Sequence, residues 1–249
     1  MKKLMILIPS FNEEKNLPLV LQDLKQYERE IKGMGWESRI VVIDDGSDDN
    51  TLEAAREYGV ESLRLPVNLG YGAALQTGFL YACEQDVDAV ISIDADGQHQ
   101  PQDILVLLQA FDSGDYDVVL GSRFVTDTGY KTHWSRRLGI KMFSLVLRGL
   151  SGQKIADVTT GFQLLSRKVV ELFAREYPHD YPDAQVLLML TVHGFRIKEV
   201  PVVVRQRLHG QSMHSSIKAL IYPLRNLLAI AVLLLRASQF KHQSKADGK

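Results

Sequence analysis

Two aspartates one residue apart, Asp94 and Asp96, directly follow an apolar, β-branched run in the stretch ISIDADGQHQ (Ile91–Gln100). A turn leaving a buried strand requires one Asp, Asn or Gly. A second carboxylate on the same short loop adds like-charge repulsion unless a cation offsets it. Hard divalent cations such as Mg2+ and Mn2+ take carboxylate and other oxygen ligands and keep positions for waters or substrate phosphates. Asp94, Asp96 and the amide of Gln98 are therefore a candidate metal site whose remaining positions suit a diphosphate.

A second acidic pair, Asp44-Asp45, precedes Gly46-Ser47 and the helix start Asn50-Thr51. Turn and capping chemistry accounts for Ser47 and Asn50 but does not require two acids, so one of them is free to accept from a base or a ribose. Asn68–Ala74, NLGYGAA, opens another helix through glycines that permit positive φ and close backbone approach. It lacks the G-x-G-x-x-G spacing of a dinucleotide fold and reads as a tight loop-to-helix turn.

The elements that must carry these loops alternate in type. Apolar runs at Leu4–Ile8, Ile40–Ile43, Ser62–Leu65, Ala89–Ile93 and Val118–Leu120 are separated by helical patterns over Lys15–Ile31, Thr51–Tyr58, Gly72–Glu84 and Ile104–Phe111. Strands apolar throughout, alternating with helices, predict an α/β fold with a mostly parallel twisted sheet flanked by helices. Ligands of such sheets bind at the carboxyl ends of the strands, where this chain collects acids, glycines and Arg123. Further along, Trp134–Leu150 and Pro182–His193 read as helices, Phe162–Leu165 as a strand, and Arg196–Arg205 as containing one.

A formal net charge of −1 argues against bulk nucleic-acid binding. The single cysteine, Cys83, reads as a packed thiol and rules out an internal disulfide framework. The amino-terminal apolar stretch ends at Pro9 and acidic residues without a small-residue cleavage site, so it reads as a first strand and the protein is expected on the cytosolic side. The division expected is a catalytic domain over 1–214, an apolar and basic helical segment over 215–240, and a disordered tail over 241–249. The uninterrupted apolar part of the second segment, Leu227–Leu235, is far shorter than the roughly 20 residues that span a bilayer. It reads either as a membrane-interfacial helix with basic residues toward anionic headgroups or as a helix packed on the domain or in a homo-oligomer.

Taken together, IPSFNEEKNL (Ile8–Leu17), VVIDDGSDDNT (Val41–Thr51), NLGYGAA, DADGQH (Asp94–His99), GSRF (Gly121–Phe124), DVTTGFQ (Asp157–Gln163), GFRIKEVPV (Gly194–Val202) and RQRLHGQS (Arg205–Ser212) resemble, in this order, the family 2 glycosyltransferases of the GT-A fold. Within them the likeness is to the dolichyl-phosphate mannose synthase-like, polyprenyl-phosphate glycosyltransferase group. The resemblance implies a UDP- or GDP-linked sugar lying over the carboxyl rim, with Pro9, Phe11, Glu13 and Asp44 toward the nucleotide. It implies Asp94 and Asp96 as the pair binding Mg2+ or Mn2+, Gln98 as a third oxygen ligand, and Arg123 and Arg137 facing phosphate. Arg205, Arg207 and His209 are the candidates for the acceptor phosphate. Two positions depart from the mannose synthase pattern: Lys141 replaces a small hydroxyl residue, and Met213-His214 stands where a lysine is frequent.

The resemblance implies direct displacement with inversion at the anomeric carbon. A polyprenyl phosphate is largely anionic near neutral pH, its second pKa being roughly 6, so it needs cations to position it rather than a base. A sugar hydroxyl on a growing cell-surface polysaccharide would need a carboxylate within reach, for which Asp157 is the candidate and Asp183 a weaker one. Asp157 also suits a cap on the Thr159-Thr160-Gly161 turn, and Asp183 a helix start. His99, His193 and His209 read as surface or hydrogen-bonded histidines, His209 having a case for touching phosphate. A lipid acceptor would bring the protein to the cytosolic membrane surface as a peripheral enzyme, with or without a membrane partner protein. Rival readings are a non-catalytic nucleotide-sugar-binding or scaffold protein, and a nucleotidyltransferase.

Overall fold

The computed structural model describes residues 1–125, 144–145, 148–149, 155–178 and 182–205. Seven strands, β1 (Lys2–Ser10), β2 (Trp36–Asp44), β3 (Glu61–Arg64), β4 (Ala89–Ser92), β5 (Val118–Ser122), β6 (Gln163–Ser166) and β7 (Ile197–Pro201), form one sheet in the order β3-β2-β1-β4-β6-β5-β7. All run parallel except β6, which is antiparallel to both β4 and β5. The parallel strands therefore end on one rim, and the reversed β6 begins there: Gln163 pairs with Ser92 on one side and Leu120 on the other.

The sheet is covered by helices α1 (Leu17–Gln26), α2 (Glu28–Gly33), α3 (Thr51–Glu57), α4 (Tyr71–Glu84), α5 (Asp103–Asp112), α6 (Arg167–Arg175) and α7 (Pro182–Val192). Alternate residues of a strand face opposite sides, and β1 shows the consequence. Met5 and Leu7 enter one buried cluster with α4, α6 and α7, while Leu4, Ile6 and Ile8 enter another with α1, α3 and α5. Both faces are thus dry, as uninterrupted apolar strands require. Rings of Phe79, Phe173 and Tyr177 meet at centroid distances of 5.1–5.3 Å and join α4 to α6.

Three expectations shift. The pattern over Lys15–Ile31 is two helices, not one. Pro18 lies in the first turn, where a missing N–H is tolerated, so α1 starts at Leu17. At Tyr27, with φ −96° and ψ 0°, the chain leaves regular helix geometry and α2 starts anew. The strand expected at Phe162–Leu165 lies one residue later, and the strand within Arg196–Arg205 closes at Pro201. Most of the Trp134–Leu150 helix, the 215–240 segment and the 241–249 tail fall outside the described residues. Among the described residues no helix is long and apolar enough to cross a membrane.

Candidate functional site

The loops leaving β1 and β2 are stitched together. Asn12, at φ 55°, donates its N–H to Ser47 Oγ (3.0 Å), and Asp48 N–H returns to Asn12 Oδ1 (2.9 Å); Asn tolerates this left-handed backbone better than other non-glycine residues. Glu13 and Glu14 donate their N–H groups to Thr51 Oγ1 (2.8 Å) and Asp49 Oδ2 (3.1 Å). Ser47 therefore joins two loops through its hydroxyl while its own N–H closes a local turn onto Asp44. Asn50 makes no side-chain cap on α3, and Asp49 Oδ1 instead takes the Thr51 N–H at 3.0 Å.

The two acids after β2 do different work. Asp45, buried, receives the N–H groups of Leu69 (2.8 Å) and Gly70 (2.9 Å), one on each oxygen. It thereby holds the entry to α4, where Gly70 has φ 97° as a tight loop-to-helix turn requires. Asp44, wholly buried, receives Ser47 N–H on Oδ1 at 3.0 Å, and Arg64 Nε stands 3.5 Å from its Oδ2.

At the exit of β4, Tyr71 donates its hydroxyl to Asp94 Oδ1 at 3.0 Å. Gly161, from the loop before β6, packs so closely here that a Cβ would lie 2.8 Å from the Tyr71 hydroxyl and 3.2 Å from both Asp94 oxygens. His99 is buried, stacks on Phe162 at 4.8 Å and brings Nε2 to 4.0 Å from Asp94 Oδ2. Burial lowers its pKa, with Asp94 and Asp96 pulling the other way, so the ring favours the neutral form. Its Nδ1 has no hydrogen-bond partner among the described residues. His99, expected at the surface or hydrogen-bonded, is thus part of the floor beneath the acid pair. Asp96 is buried and turns one oxygen back to its own loop, accepting Gln98 N–H at 3.0 Å.

Gln98 belongs to a clip between this loop and the chain leaving β7. Its amide Nε2 donates to the Arg205 carbonyl (3.3 Å), and Arg205 N–H donates to the Gln98 carbonyl (2.8 Å). The Arg205 guanidinium meets Gln100 Oε1 at 3.0 Å and Asp23 of α1 at 3.7 Å. It is thereby drawn toward α1. Asp103 joins the clip by accepting Val203 N–H at 3.3 Å; burial raises its pKa to about 6 against the opposing pull of that N–H and Arg205.

At the exit of β5, Arg123 and Asp157 form a two-pronged pair, Nε to Oδ2 and Nη2 to Oδ1, both 2.7 Å. Arg123 N–H also donates to Oδ2 (3.0 Å), and Thr159 N–H to Oδ1 (3.2 Å). Glu199 of β7 supports the loop from behind, receiving the N–H groups of Ala156 and Asp157 at 2.7 Å each. Burial pushes the Asp157 carboxyl up, but the hydrogen bonds and charge of Arg123 outweigh it and hold it below the usual range. A carboxylate so held is a poor proton acceptor. Its turn-capping role is present in the Thr159 bond.

The chain from residue 5 to 173 matches the model of glycosyl transferase family 2. This chain belongs to that family. The glycosyltransferase is 32% identical over 245 residues to a dolichyl-phosphate beta-glucosyltransferase of Trichomonas vaginalis, covering 92% of this chain and 73% of that protein. It is 30% identical over 224 residues to a polyprenol monophosphomannose synthase of Mycolicibacterium smegmatis, covering 86% and 82%. An undecaprenyl-phosphate mannosyltransferase of Micrococcus luteus is 30% identical over 223 residues, covering 86% and 88%. Its fold is that of glucosyl-3-phosphoglycerate synthase from Mycobacterium tuberculosis, a structure solved with Mn2+, UDP and glucosyl-3-phosphoglycerate. That likeness has a TM-score of 0.70 at 20% identity and covers 95% and 80% of the two chains.

The glycosyltransferase thus brings Asp44, Asp94, Asp96, Gln98 and Arg123 to the ends of parallel strands on one rim. Pro9 is buried as the partner of Ile43, Phe11 is exposed just beyond β1, and Glu13 accepts the side-chain amide of Asn16 (2.6 Å). Arg137, Lys141, Arg207, His209 and Met213-His214 lie outside the described residues, as does the side chain of Asp183. Among the described residues no cluster of three or more His, Cys, Asp or Glu side chains is placed to hold a metal ion. The donor set at the rim, two carboxylates beside a glycine cradle, nonetheless suits a hard cation that completes its coordination with phosphate oxygens. Glu199 was missed from sequence, and the structural roles of Asp45 and His99 were not read there; these roles depend on contacts with residues 24 to about 60 positions away, which no local pattern signals.

Proposed function

We propose that this glycosyltransferase moves a sugar from a nucleotide-diphosphate donor to a membrane polyprenyl phosphate, with inversion and with Mg2+ or Mn2+. The observation that carries the acceptor is the closed Arg123–Asp157 pair, with both carboxylate oxygens held by the guanidinium. A site built this way offers a fixed cation where a hydroxyl acceptor would need a free carboxylate, and an anionic phosphate needs no base. The names of the relatives point to the same acceptor class.

In this reading Asp94 and Asp96 hold the cation, with Gln98 as a further oxygen donor, and Tyr71 and Gly161 keep Asp94 turned toward it. When bound, the cation supplies charge neutralisation for the departing nucleoside diphosphate. Asp157 locks the Arg123 rotamer, so that the guanidinium meets phosphate charge without reorganising. The acceptor oxygen attacks the anomeric carbon opposite the diphosphate, forming one C–O bond as the other breaks. Phe11, Glu13 and Asp44 flank the nucleoside. Arg137, Arg207 and His209 are the further phosphate contacts proposed, and the 215–240 segment is the proposed attachment to the cytosolic membrane surface.

Incubating the full chain with Mn2+, a panel of UDP- and GDP-sugars and a short polyprenyl phosphate tests this by mass spectrometry of the lipid fraction. A glycosyl phospholipid of inverted anomeric configuration is expected with wild type and is expected to vanish with Asp96→Ala. Transfer to sugar hydroxyls with none to lipid phosphate would replace the acceptor reading. Liposome binding that survives truncation near Ser216 would remove the tail from membrane attachment.

A further inference from the structure

The loop that carries Asp157, residues 155–161, belongs to no helix or strand. Ile155 and Val158 anchor it in the buried cluster shared with α4, α6 and α7. Between these anchors, both oxygens of Glu199 are spent on consecutive peptide groups. Oε2 accepts Ala156 N–H and Oε1 accepts Asp157 N–H, each at 2.7 Å. Glu199 sits on β7, the terminal strand of the sheet, level with Leu120 of β5. Ile197 packs against that same cluster and Val200 belongs to the opposite one, so alternation turns Glu199 toward the loop. An inward charge on an edge strand commonly serves only to prevent wrong pairing. Such a group leaves its oxygens to water, whereas this one closes a charge-assisted clamp.

The clamp leads to Arg123. The N–H of Arg123, fixed just beyond the end of β5, reaches Asp157 Oδ2 at 3.0 Å, and its guanidinium forks onto both Asp157 oxygens. The guanidinium also meets Thr159 Oγ1 at 2.7 Å, on the same loop. The order of support is therefore Glu199, the 156–157 backbone, the Asp157 carboxylate and then Arg123. A two-pronged bond depends on direction as well as distance, so any shift of the loop at Asp157 turns the guanidinium.

We propose that Glu199 is a positioning residue for sugar transfer: by holding the Ala156 and Asp157 amides it sets the direction of the Asp157 carboxylate and, through it, of the Arg123 guanidinium. This rests on the reading above that Arg123 meets phosphate charge, and adds the group that aims it. Glu199 stands behind the loop and acts only through Asp157. A misplacement of about 1 Å arising away from the chemistry is enough to cost about a hundredfold in rate.

Two readouts on the full chain test the assignment: transfer from UDP- and GDP-sugars to a short polyprenyl phosphate with Mn2+, and the Arg123 Nε–H signal in 1H–15N spectra. Arg123→Lys identifies that signal by its loss, and keeps a charge against Asp157 while removing the fork. In Glu199→Gln the side-chain NH2 meets a peptide N–H, so one of the two amides loses its acceptor. The Arg123 signal is then expected to shift and to exchange faster with water, and kcat to fall about ten- to a hundredfold. In an Arg123→Lys background the same change should cost no more than about twofold further, because a flexible ammonium does not depend on the direction of Asp157. A merely structural Glu199 would lower kcat by the same factor in both backgrounds, which overturns the proposal, as does an unmoved Arg123 signal. If Glu199→Gln fails to fold by circular dichroism, Glu199→Asp, with both oxygens set back by one methylene, takes its place with the same expectations. Absence of transfer by wild type overturns the acceptor reading, and the Arg123 signal then still decides whether Glu199 sets the guanidinium.

Discussion

Arg123 and Asp157 face each other as a closed fork, two 2.7 Å bonds between a guanidinium 12% exposed and a carboxylate with no exposure. Removing one member of such a pair leaves the other buried and unmatched, at about 3–5 kcal/mol. Asp157→Asn should therefore lower the melting temperature and kcat together, and Arg123→Gln likewise. The double variant should cost less than the sum, with a coupling of about 1–3 kcal/mol by urea unfolding; strict additivity would show that the two do not act as a unit. The folded Asp157 pKa is depressed. Its stabilisation is thus complete above the ordinary value of roughly 3.9 and is lost as pH falls through the folded value.

Asp103 runs the opposite way. Burial raises its pKa to about 6, so its contribution is complete below roughly pH 4 and is lost as pH rises through the folded value. The shift corresponds to about 2–3 kcal/mol. In Asp103→Asn the side-chain carbonyl still accepts Val203 N–H without carrying charge. The variant should be more stable than wild type at pH 7–8 and flatter in urea midpoint between pH 4 and 7. An unchanged pH slope would mean that Asp103 is not the group responsible.

Gly46 has φ +71°, and a Cβ there would sit 2.6 Å from the Val67 carbonyl carbon. Backbone, unlike a side-chain tip, cannot swing aside. Gly46→Ala should cost at least about 1–3 kcal/mol from the conformation alone, with the clash added, and should weaken nucleotide binding by shifting Asp44 and Asp45. A melting temperature within error of wild type would show that the loop relaxes freely.

The cradle around Asp94 makes a separate forecast. Gly161→Ala pushes on both Asp94 oxygens and the Tyr71 hydroxyl, and Tyr71→Phe removes the 3.0 Å bond that orients Asp94. Outer-shell changes of this kind cost roughly 10–100-fold in metal affinity. Mn2+ titrations followed by electron paramagnetic resonance should show that loss in both variants. Full Mn2+ affinity in both would separate Asp94 from the metal.

The sheet was legible because apolar runs such as Ile40–Ile43 and Ala89–Ile93 stay apolar on both faces, and their polar exits mark the rim. Asp44 and Asp45 show where legibility stopped. Adjacent and identical in type, they differ in function because Asp45 meets Leu69 and Gly70 while Asp44 meets Ser47 and Arg64. Tyr27 breaks a helix whose periodicity continues through it, a backbone event with no compositional mark. Asp157 matched its motif, yet the chemistry of its carboxylate was decided by Arg123, 34 positions earlier.

The reversed strand β6 has a consequence for the order of assembly. Ser92 must wait for Gln163, and Val118 for Leu165, before the edges of β4 and β5 are covered. During synthesis the ribosome releases β1 through β5 with one edge of β4 and both edges of β5 still unpaired, the condition in which strands recruit wrong neighbours. Closure of that gap brings Gly161 against Asp94 and Phe162 against His99 in the same event. The acid pair therefore acquires its supports when the sheet becomes continuous, so a chain stalled before β6 emerges would carry the two aspartates without the shaped site.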